Sequence, residues 1–549
     1  MSRVSNLFVS FLFCISLSAA GQSADAYKFR IYLKDKGNVS FSIHAPETFL
    51  SPEAIERKQR QGVVIDEADF PISADYFDIL RQRGAEIITH SKWFKTIVVQ
   101  LNDSTAIDRL TALPFVASAK YIWKGYDKDY RPSMRSRLEQ TDCPDSIATA
   151  HYLGITQPQF AFHHAEPMMN AGFRGKGIRI GIIDAGFTNY DVIPYFKNSQ
   201  FGGFKDFVPA GEMFSSSDHG TRVFSTMAIK EPHIMMGSAP DATYWLFRSE
   251  DVASEFPVEE DYWTRAIEYA DSLGMDVINT SLGYNSFDDK QLNYSRRDLD
   301  GVSSLMTLAA DKAHEKGMLV MVSAGNSGSG KWGKITFPGD AKYAVTVGAT
   351  SVDSLIAPFS SRGPTYDGRV KPDFVSVGRG TVTIGRRGAI GTANGTSFST
   401  PFLAGLFASL WSINPDVNRS ELIEIVRQSS DRYAAPDSVF GYGIPNFDIA
   451  MRHMLNTLPT HTMQQTDSIC SIFPTEEGYR IALLHEGFLP EKCSVKVLNN
   501  DGLLISDMAF DGRKEIIFPF SPQQKRYSTT LYFLMESPYR VRPYRIKVK

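Results

Sequence analysis

Apolar positions along this chain switch repeatedly between two periods, and the switching divides it. From about Gln157 to Asn456, short and nearly continuous apolar runs alternate with stretches of helical spacing. Ile178 to Asp184, Thr243 to Phe247, Asp276 to Leu282, Met318 to Ala324 and Tyr343 to Ala349 read as buried strands. His219 to about Ile229 reads as a helix, as does Tyr262 to Leu273, with Ile267, Ala270 and Leu273 on one face. Val302 to Lys316 reads as a third, stopped by Gly317. This alternation over 157–456 predicts an α/β unit, a doubly wound parallel sheet with helices over both faces. Such sheets bind ligands beyond the carboxyl ends of their strands. Asp184 ends a strand there, and Asn326 lies just past another.

The flanks have other rhythms. Over 25–127, Tyr27 to Leu33, Phe94 to Leu101 and Val116 to Trp123 alternate as strands. Ser51-Pro52-Glu53 opens a helix, and Ala74 to Gly84 and Thr105 to Leu113 have helical spacing, so a small α+β domain is expected. A polar stretch from about Lys128 to Asp145, with Arg131, Arg135 and Arg137, reads as a linker and processing region within 128–156. After Pro459, short apolar runs such as Arg480 to Leu484, Ser494 to Leu498, Glu515 to Phe520 and Thr530 to Met535 are separated by turn signals like Asn499-Asn500-Asp501-Gly502. These predict a small antiparallel β-sandwich over 463–549. At the front, Arg3, an apolar run from Leu7 to Leu17 and Ser18-Ala19-Ala20 read as a signal peptide over 1–24, too short to span a bilayer.

At 549 residues the chain exceeds one domain. A formal net charge of -3, from 58 basic and 61 acidic side chains, leaves no footprint for nucleic acid. No later run looks transmembrane, so a secreted or cell-surface protein is expected. Of four cysteines, Cys14 would leave with the signal peptide and Cys143 has no obvious partner. Cys470 and Cys493 are candidates for one disulfide in an oxidising compartment.

Three distant segments carry complementary chemistry. They are Gly181-Ile182-Ile183-Asp184-Ala185-Gly186, Asp218-His219-Gly220-Thr221 and Gly395-Thr396-Ser397-Phe398-Ser399-Thr400-Pro401. A serine hydroxyl is a poor nucleophile at neutral pH; it needs a base within reach, and the base needs a third group to orient it. Ser397, His219 and Asp184 are the candidates for these roles. Ser397 opens a helix running to about Trp411, whose free N–H groups and positive end favour negative charge beside it. Pro401 is expected in the first turn, where its missing N–H costs little. Singly, each segment has a plainer reading: a helix cap, a polar helix start, a turn-capping Asp. A fourth element tips the balance. Val320-Met321-Val322-Ser323-Ala324-Gly325-Asn326 sets an amide after a buried strand, and with the Ser397 N–H it offers two donors to an oxyanion.

Gly325 to Lys331 also approaches a phosphate-binding loop. Trp332 stands where Ser or Thr would hold Mg²⁺, and no helix is predicted to follow. This chemistry requires no cofactor. Asp288, Asp289, Asp298 and Asp300 lie in a polar insert and are candidates for structural calcium, against the plainer reading of a solvated acidic loop. His163-His164 read as surface or packing residues.

Together and in this order, the motifs resemble the subtilisin-like serine proteases, the subtilase family, over roughly residues 175–450. Val277 to Gly283 resembles the family strand that pairs with the substrate backbone and lines the first specificity pocket. The substrate-binding residues this implies are Ser281, Leu282 and Gly283, with Ala324 and Gly325. Phe359-Ser360-Ser361-Arg362-Gly363-Pro364 and Lys371-Pro372-Asp373 are similar to further landmarks. Arg222, Ser376-Val377 and Phe187 depart from the pattern without touching the four chemical positions.

The resemblance implies a secreted serine endopeptidase that cleaves polypeptides through an acyl-enzyme, with Asp184, His219 and Ser397 as triad and Asn326 at the oxyanion. The N-terminal domain resembles the family's propeptides, which implies an intramolecular inhibitor and chaperone and hence a zymogen. The tail resembles C-terminal sorting domains of exported Bacteroidota proteins through Leu531-Tyr532-Phe533-Leu534 and Tyr544 to Lys549, without the usual Gly before the Tyr. The alternative is a catalytically inactive secreted binding protein on the same fold; the presence of all four chemical residues argues against it.

Overall fold

The computed structural model describes residues 25–126, 148–209, 211–462, 464–484, 489–520, 529–537 and 541–548. The expected signal peptide, Cys14, Cys143 and most of the linker lie outside the described residues.

Seven parallel strands form the central sheet. Their order is Phe374–Val377, Val345–Thr350, Leu319–Ser323, Val277–Thr280, Arg179–Asp184, Thr243–Arg248 and Gln200–Asp206. Successive side chains feed opposite faces. Ile180 and Ile182 enter one core beneath the helices His219–Ala228 and Thr396–Trp411. Ile183 enters a second core under Val258–Leu273 and Leu305–Glu315. Burial on both faces is why the strands read as continuous apolar runs. After Arg179–Asp184 the chain adds Gln200–Asp206 and Thr243–Arg248 on one side, then crosses to add Val277–Thr280 on the other. The strand order therefore reverses beside Asp184, and a crevice opens at such a reversal.

Two strands escape the apolar pattern. Gln200–Asp206 is the sheet's edge, largely exposed, and Gly202 and Gly203 lie against Trp245. Phe374–Val377 is only four residues long. The helix ending at Leu273 starts one turn earlier than its apolar face indicates, at Val258, because its first turn is acidic yet buried.

The N-terminal unit is a four-stranded antiparallel sheet, ordered Glu86–Ser91, Thr96–Leu101, Asp25–Leu33 and Val116–Tyr126. One face covers its own helices Ala74–Gln82 and Ile107–Thr111, in part through Leu80, Leu110 and Ile97. From the other, Val98 and Ile122 pack on Val208, Phe256, Val258 and Tyr262 of the central unit.

That seam is dense in buried charge. Along the helix Val258–Leu273, Asp261, Glu268 and Asp271 recur at helical spacing and all face the N-terminal unit. Arg30 grips Asp261 with two hydrogen bonds, 2.7 and 2.6 Å. Glu268 accepts the backbone N–H groups of Lys92 and Trp93 at 2.9 and 3.0 Å. Asp271 is paired with Arg57 and, at 2.9 Å, with Lys58, and all three side chains are 0% exposed. Burial alone would raise the Asp271 carboxyl; Lys58 and Arg57 outweigh it and hold the group well below the ordinary carboxylate range.

The tail has two sheets over a shared core. Its pairing is not wholly antiparallel. Thr460–Thr462 arrives directly from the helix Phe447–Asn456, with no hairpin to set its direction, and runs parallel to Val541–Lys547. Cys470 and Cys493 are both buried and both free, so the expected disulfide is not formed. The Cys470 thiol is engaged instead by Tyr544. Among the described residues no helix is long and apolar enough to cross a membrane.

Removing Asp271's charge should loosen the seam. In Asp271→Asn, Arg57 stays buried without its counter-charge and Lys58 keeps only Asp69, at 3.4 Å, a loss of about 3–5 kcal/mol. Because the folded carboxyl titrates low, the wild-type contribution is complete above about pH 4 and fades only as acid protonates it. Thermal unfolding of the wild type and of Asp271→Asn at pH 7 checks this, with equal midpoints as the contrary result.

Candidate active site

Asp184 ends its strand with the side chain fully buried. A buried carboxylate is costly unless it accepts hydrogen bonds. Its Oδ1 accepts the Ala185 N–H at 2.8 Å and the His219 Nδ1 at 2.7 Å, while Oδ2 has no protein partner. The neighbouring strand braces the site, since the Ser249 N–H donates to the Asp184 carbonyl at 3.1 Å.

His219 is the first residue of its helix, with Asp218 as cap. The backbone of Gly220, next along, donates to the Gly186 carbonyl at 3.0 Å and ties the helix start to the Asp184 loop. A Cβ at Gly220 would stand 2.5 Å from that carbonyl, so only glycine allows the approach. The His219 side chain is 35% exposed, its outer edge toward solvent, and its ring lies 5.8 Å from that of Phe398. Burial alone would lower its pKa. The charge and hydrogen bond of Asp184 outweigh that and raise it to about 9.

Ser397 is in the first turn of Thr396–Trp411, after Gly395 at φ +152°. Pro401 is not in that first turn as expected but well inside the helix. Its missing N–H would otherwise reach the carbonyl four residues back, which is Ser397's. The helix tolerates the break because the Ser281 hydroxyl donates to that carbonyl at 3.0 Å. In return, the Ser397 hydroxyl donates to the Ser281 carbonyl at 3.0 Å. Ser397 therefore makes no hydrogen bond to His219 in this structure, and a turn about its χ1 is needed to bring the hydroxyl to the ring.

Asn326 is fixed by its oxygen. Oδ1 accepts both the N–H and the hydroxyl of Thr396, at 2.9 and 3.0 Å. The donor end, Nδ2, is left over on the Gly395 side, 3.6 Å from where a Cβ of Gly395 would be.

A cavity of about 190 Å³ opens beside Ser397 and Asn326. Ser281, Leu282, Gly283 and Gly325 line it. Ala324 does not; it is buried in a small cluster behind the pocket with Leu299, Ile335 and Phe337. Asn285, Ser323, Ser327 and Thr336 complete the walls, and sequence reasoning missed them. Ser323 and Ser327 flank a segment already singled out and were within reach. Asn285 and Thr336 belong to no motif. Glu250, also missed, is half-buried two residues beyond Arg248, which pairs with Asp184 across the sheet. Burial first, then the charge of Asp184, pushes its carboxyl up to about 8, and the Tyr284 hydroxyl donates to it at 3.2 Å.

Three of the four candidate calcium ligands serve their own loops, and Asp288 ties its loop to the one at Glu255. Asp288 accepts the Glu255 N–H, Asp289 caps Gln291, Asp298 accepts the Ser295 N–H, and Asp300 accepts those of Val302 and Ser303. Among the described residues no three His, Cys, Asp or Glu side chains converge as a metal site. His163 is wholly buried, bonded to Ser376 at 2.8 Å and to the Pro445 carbonyl at 3.1 Å, and burial lowers its pKa to about 4. No helix follows Gly325 to Lys331.

Residues 175–443 match the model of the Subtilase family (Peptidase_S8), and residues 28–138 match that of the Peptidase S8 propeptide domain, Bacteroidota. Subtilisin E of Bacillus subtilis (strain 168) is 27% identical over 382 residues, which take in 69% of this chain and 86% of that one. Serine protease AprX of the same organism is 27% identical over 318 residues, 52% of this chain and 68% of that one. The crystal structure of the epidermin leader peptide processing serine protease from Staphylococcus aureus is similar in fold. It aligns at a TM-score of 0.52 and 16% identity, covering 78% of this chain and 98% of that one.

The charge of Asp184 is what holds the His219 pKa up. In Asp184→Asn, burial is opposed only by the lesser charges of Glu250 and Asp218, and the ring should titrate well below about 9. A histidine NMR titration of both proteins reads this directly; an unchanged value would contradict it.

Proposed function

The chain carries a serine peptidase domain of the subtilase family behind a peptidase S8 propeptide domain, and on that premise we propose that it cleaves polypeptides through Ser397, His219 and Asp184. The observation that carries the reading is the 2.7 Å bond from His219 Nδ1 to a wholly buried carboxylate. That bond fixes the tautomer that leaves Nε2 free to take a proton. Ser397 leaves the Ser281 carbonyl and turns to Nε2. As His219 takes its proton, its oxygen attacks the scissile carbonyl. Asp184 stabilises the imidazolium that results.

The oxyanion meets Nδ2 of Asn326 and the backbone N–H of Ser397. Thr396 contributes by occupying the amide's oxygen, so that its donor end points at the substrate. His219 then hands its proton to the leaving amine, and water resolves the acyl-enzyme by the same route. The substrate's extended backbone runs along Ser281 to Gly283. The N-terminal domain acts as an intramolecular inhibitor and chaperone until it is removed, the protein is exported, and the tail is a unit for sorting at the cell surface.

The wild type should hydrolyse unstructured polypeptides, and Ser397→Ala should lose that activity by about 10³-fold or more. Equal rates in the two proteins would sink the triad assignment and leave the inactive binding protein. The base must be neutral to act, and its pKa is raised to about 9. Thus kcat/KM should climb with pH from about 7 to about 9. A profile flat across that range would contradict the assignment of His219 as base.

A further inference from the structure

Thr336 closes the inner end of the pocket beside Ser397. It is 5% exposed, and its hydroxyl has no hydrogen-bond partner among the described residues. The hydroxyl is wedged between the two walls: a Cβ added at Gly283 would lie 2.5 Å from Oγ1, and one added at Gly325 would lie 2.7 Å away. The backbone fixes it there. The Thr336 N–H donates to the Ala324 carbonyl at 3.1 Å, while Phe337 and Tyr284 exchange a pair of 3.0 Å bonds. Farther out, the Asn285 side chain also lines the pocket and makes no hydrogen bond among the described residues. No charged side chain lines this space, and Leu282 is its one aliphatic wall.

A buried hydroxyl without a partner needs water or a ligand. A substrate side chain filling the pocket excludes water from it and becomes the group that has to supply that bond. An apolar side chain leaves Thr336 unsatisfied. A charged one meets no counter-charge. We propose that Thr336, with Asn285, selects an uncharged side chain bearing an amide or hydroxyl (Gln, Asn, Ser or Thr) on the residue whose carbonyl is attacked. This rests on the protease reading above and adds the class of bond that is cut. The hydroxyl can donate to an amide oxygen while Asn285 takes or gives the second bond. Sites built to hydrogen-bond a substrate reject analogues that cannot do so.

The test uses the full chain after its own processing and peptides that differ only at this residue. Gln, Glu and Met have similar length and shape and separate the three chemistries. Gln should exceed both Met and Glu by about tenfold or more in kcat/KM. Thr336→Val keeps the shape without the hydroxyl and should cut the Gln-to-Met ratio by about tenfold, and Thr336→Ser should restore it. Ser397-dependent cleavage that favours Met, Leu, Phe, Lys or Glu would overturn this inference and leave the protease reading standing. So would an unchanged ratio in Thr336→Val. A wild type that cleaves none of the peptides would bring down both readings. Should the Thr336 variants fail to fold, the wild-type ratio decides alone.

Discussion

A carboxylate with no exposure, at the end of a central strand, is the constraint around which this molecule is arranged. Asp184 cannot be solvated and has one local donor, the N–H of Ala185. The imidazole of His219 donates a second bond to the same oxygen, Oδ1, so the start of a helix 35 residues away is brought to it. Gly220 and Gly186 are the means: two glycines let the backbones touch at 3.0 Å. The sheet supplies the rest. Its strand order reverses beside Asp184, which opens the crevice where the other segments converge.

The second half of the site shows the same economy. Pro401 removes a helical hydrogen bond, and the carbonyl it frees belongs to Ser397. Ser281 satisfies that carbonyl and accepts the Ser397 hydroxyl in turn. The helix defect thus joins the Ser397 helix to the segment Ser281 to Gly283. Thr396 performs a parallel service one residue earlier, holding the oxygen of Asn326 and leaving its donor end free. Two consecutive polar residues, Thr396 and Ser397, would look unremarkable by composition; their backbone positions give them distinct tasks.

How much of this could be read from the chain depends on whether a residue answers to its own segment or to a distant one. The buried strands were legible because parallel sheets demand unbroken apolar runs. Asp184, His219, Asn326 and Ser397 each lie in a short segment whose spacing carries its own chemistry. Thr336 and Asn285 do not: they matter only because Gly283 and Gly325 stand on either side of the same gap. Pro401 was misplaced because the sequence shows a proline near a helix start but not the hydroxyl of Ser281 that lets it sit deeper. Ala324 was taken for a pocket wall because it adjoins Gly325, although alternation on its strand turns it into the core behind. The helix from Val258 to Leu273 was legible only from Tyr262 on, through its apolar face, for a related reason. Its acidic face is buried, but against arginines and lysines more than 170 residues away.

Those acids also explain the character of the seam with the N-terminal unit. Ion pairs buried this deeply gain little net stability over well-packed apolar residues, because desolvation offsets most of their attraction. What they add is a requirement for one partner, since an unmatched charge here is expensive. On the proposed removal of the N-terminal unit, they also decide what is left. An apolar seam of this kind would leave a patch prone to association. A face bearing Asp261, Glu268 and Asp271 instead takes up water readily once opened. A domain removed as proposed is best held by groups that are satisfied in both states, and the charged part of this seam meets that condition where its apolar part, around Val98 and Ile122, does not.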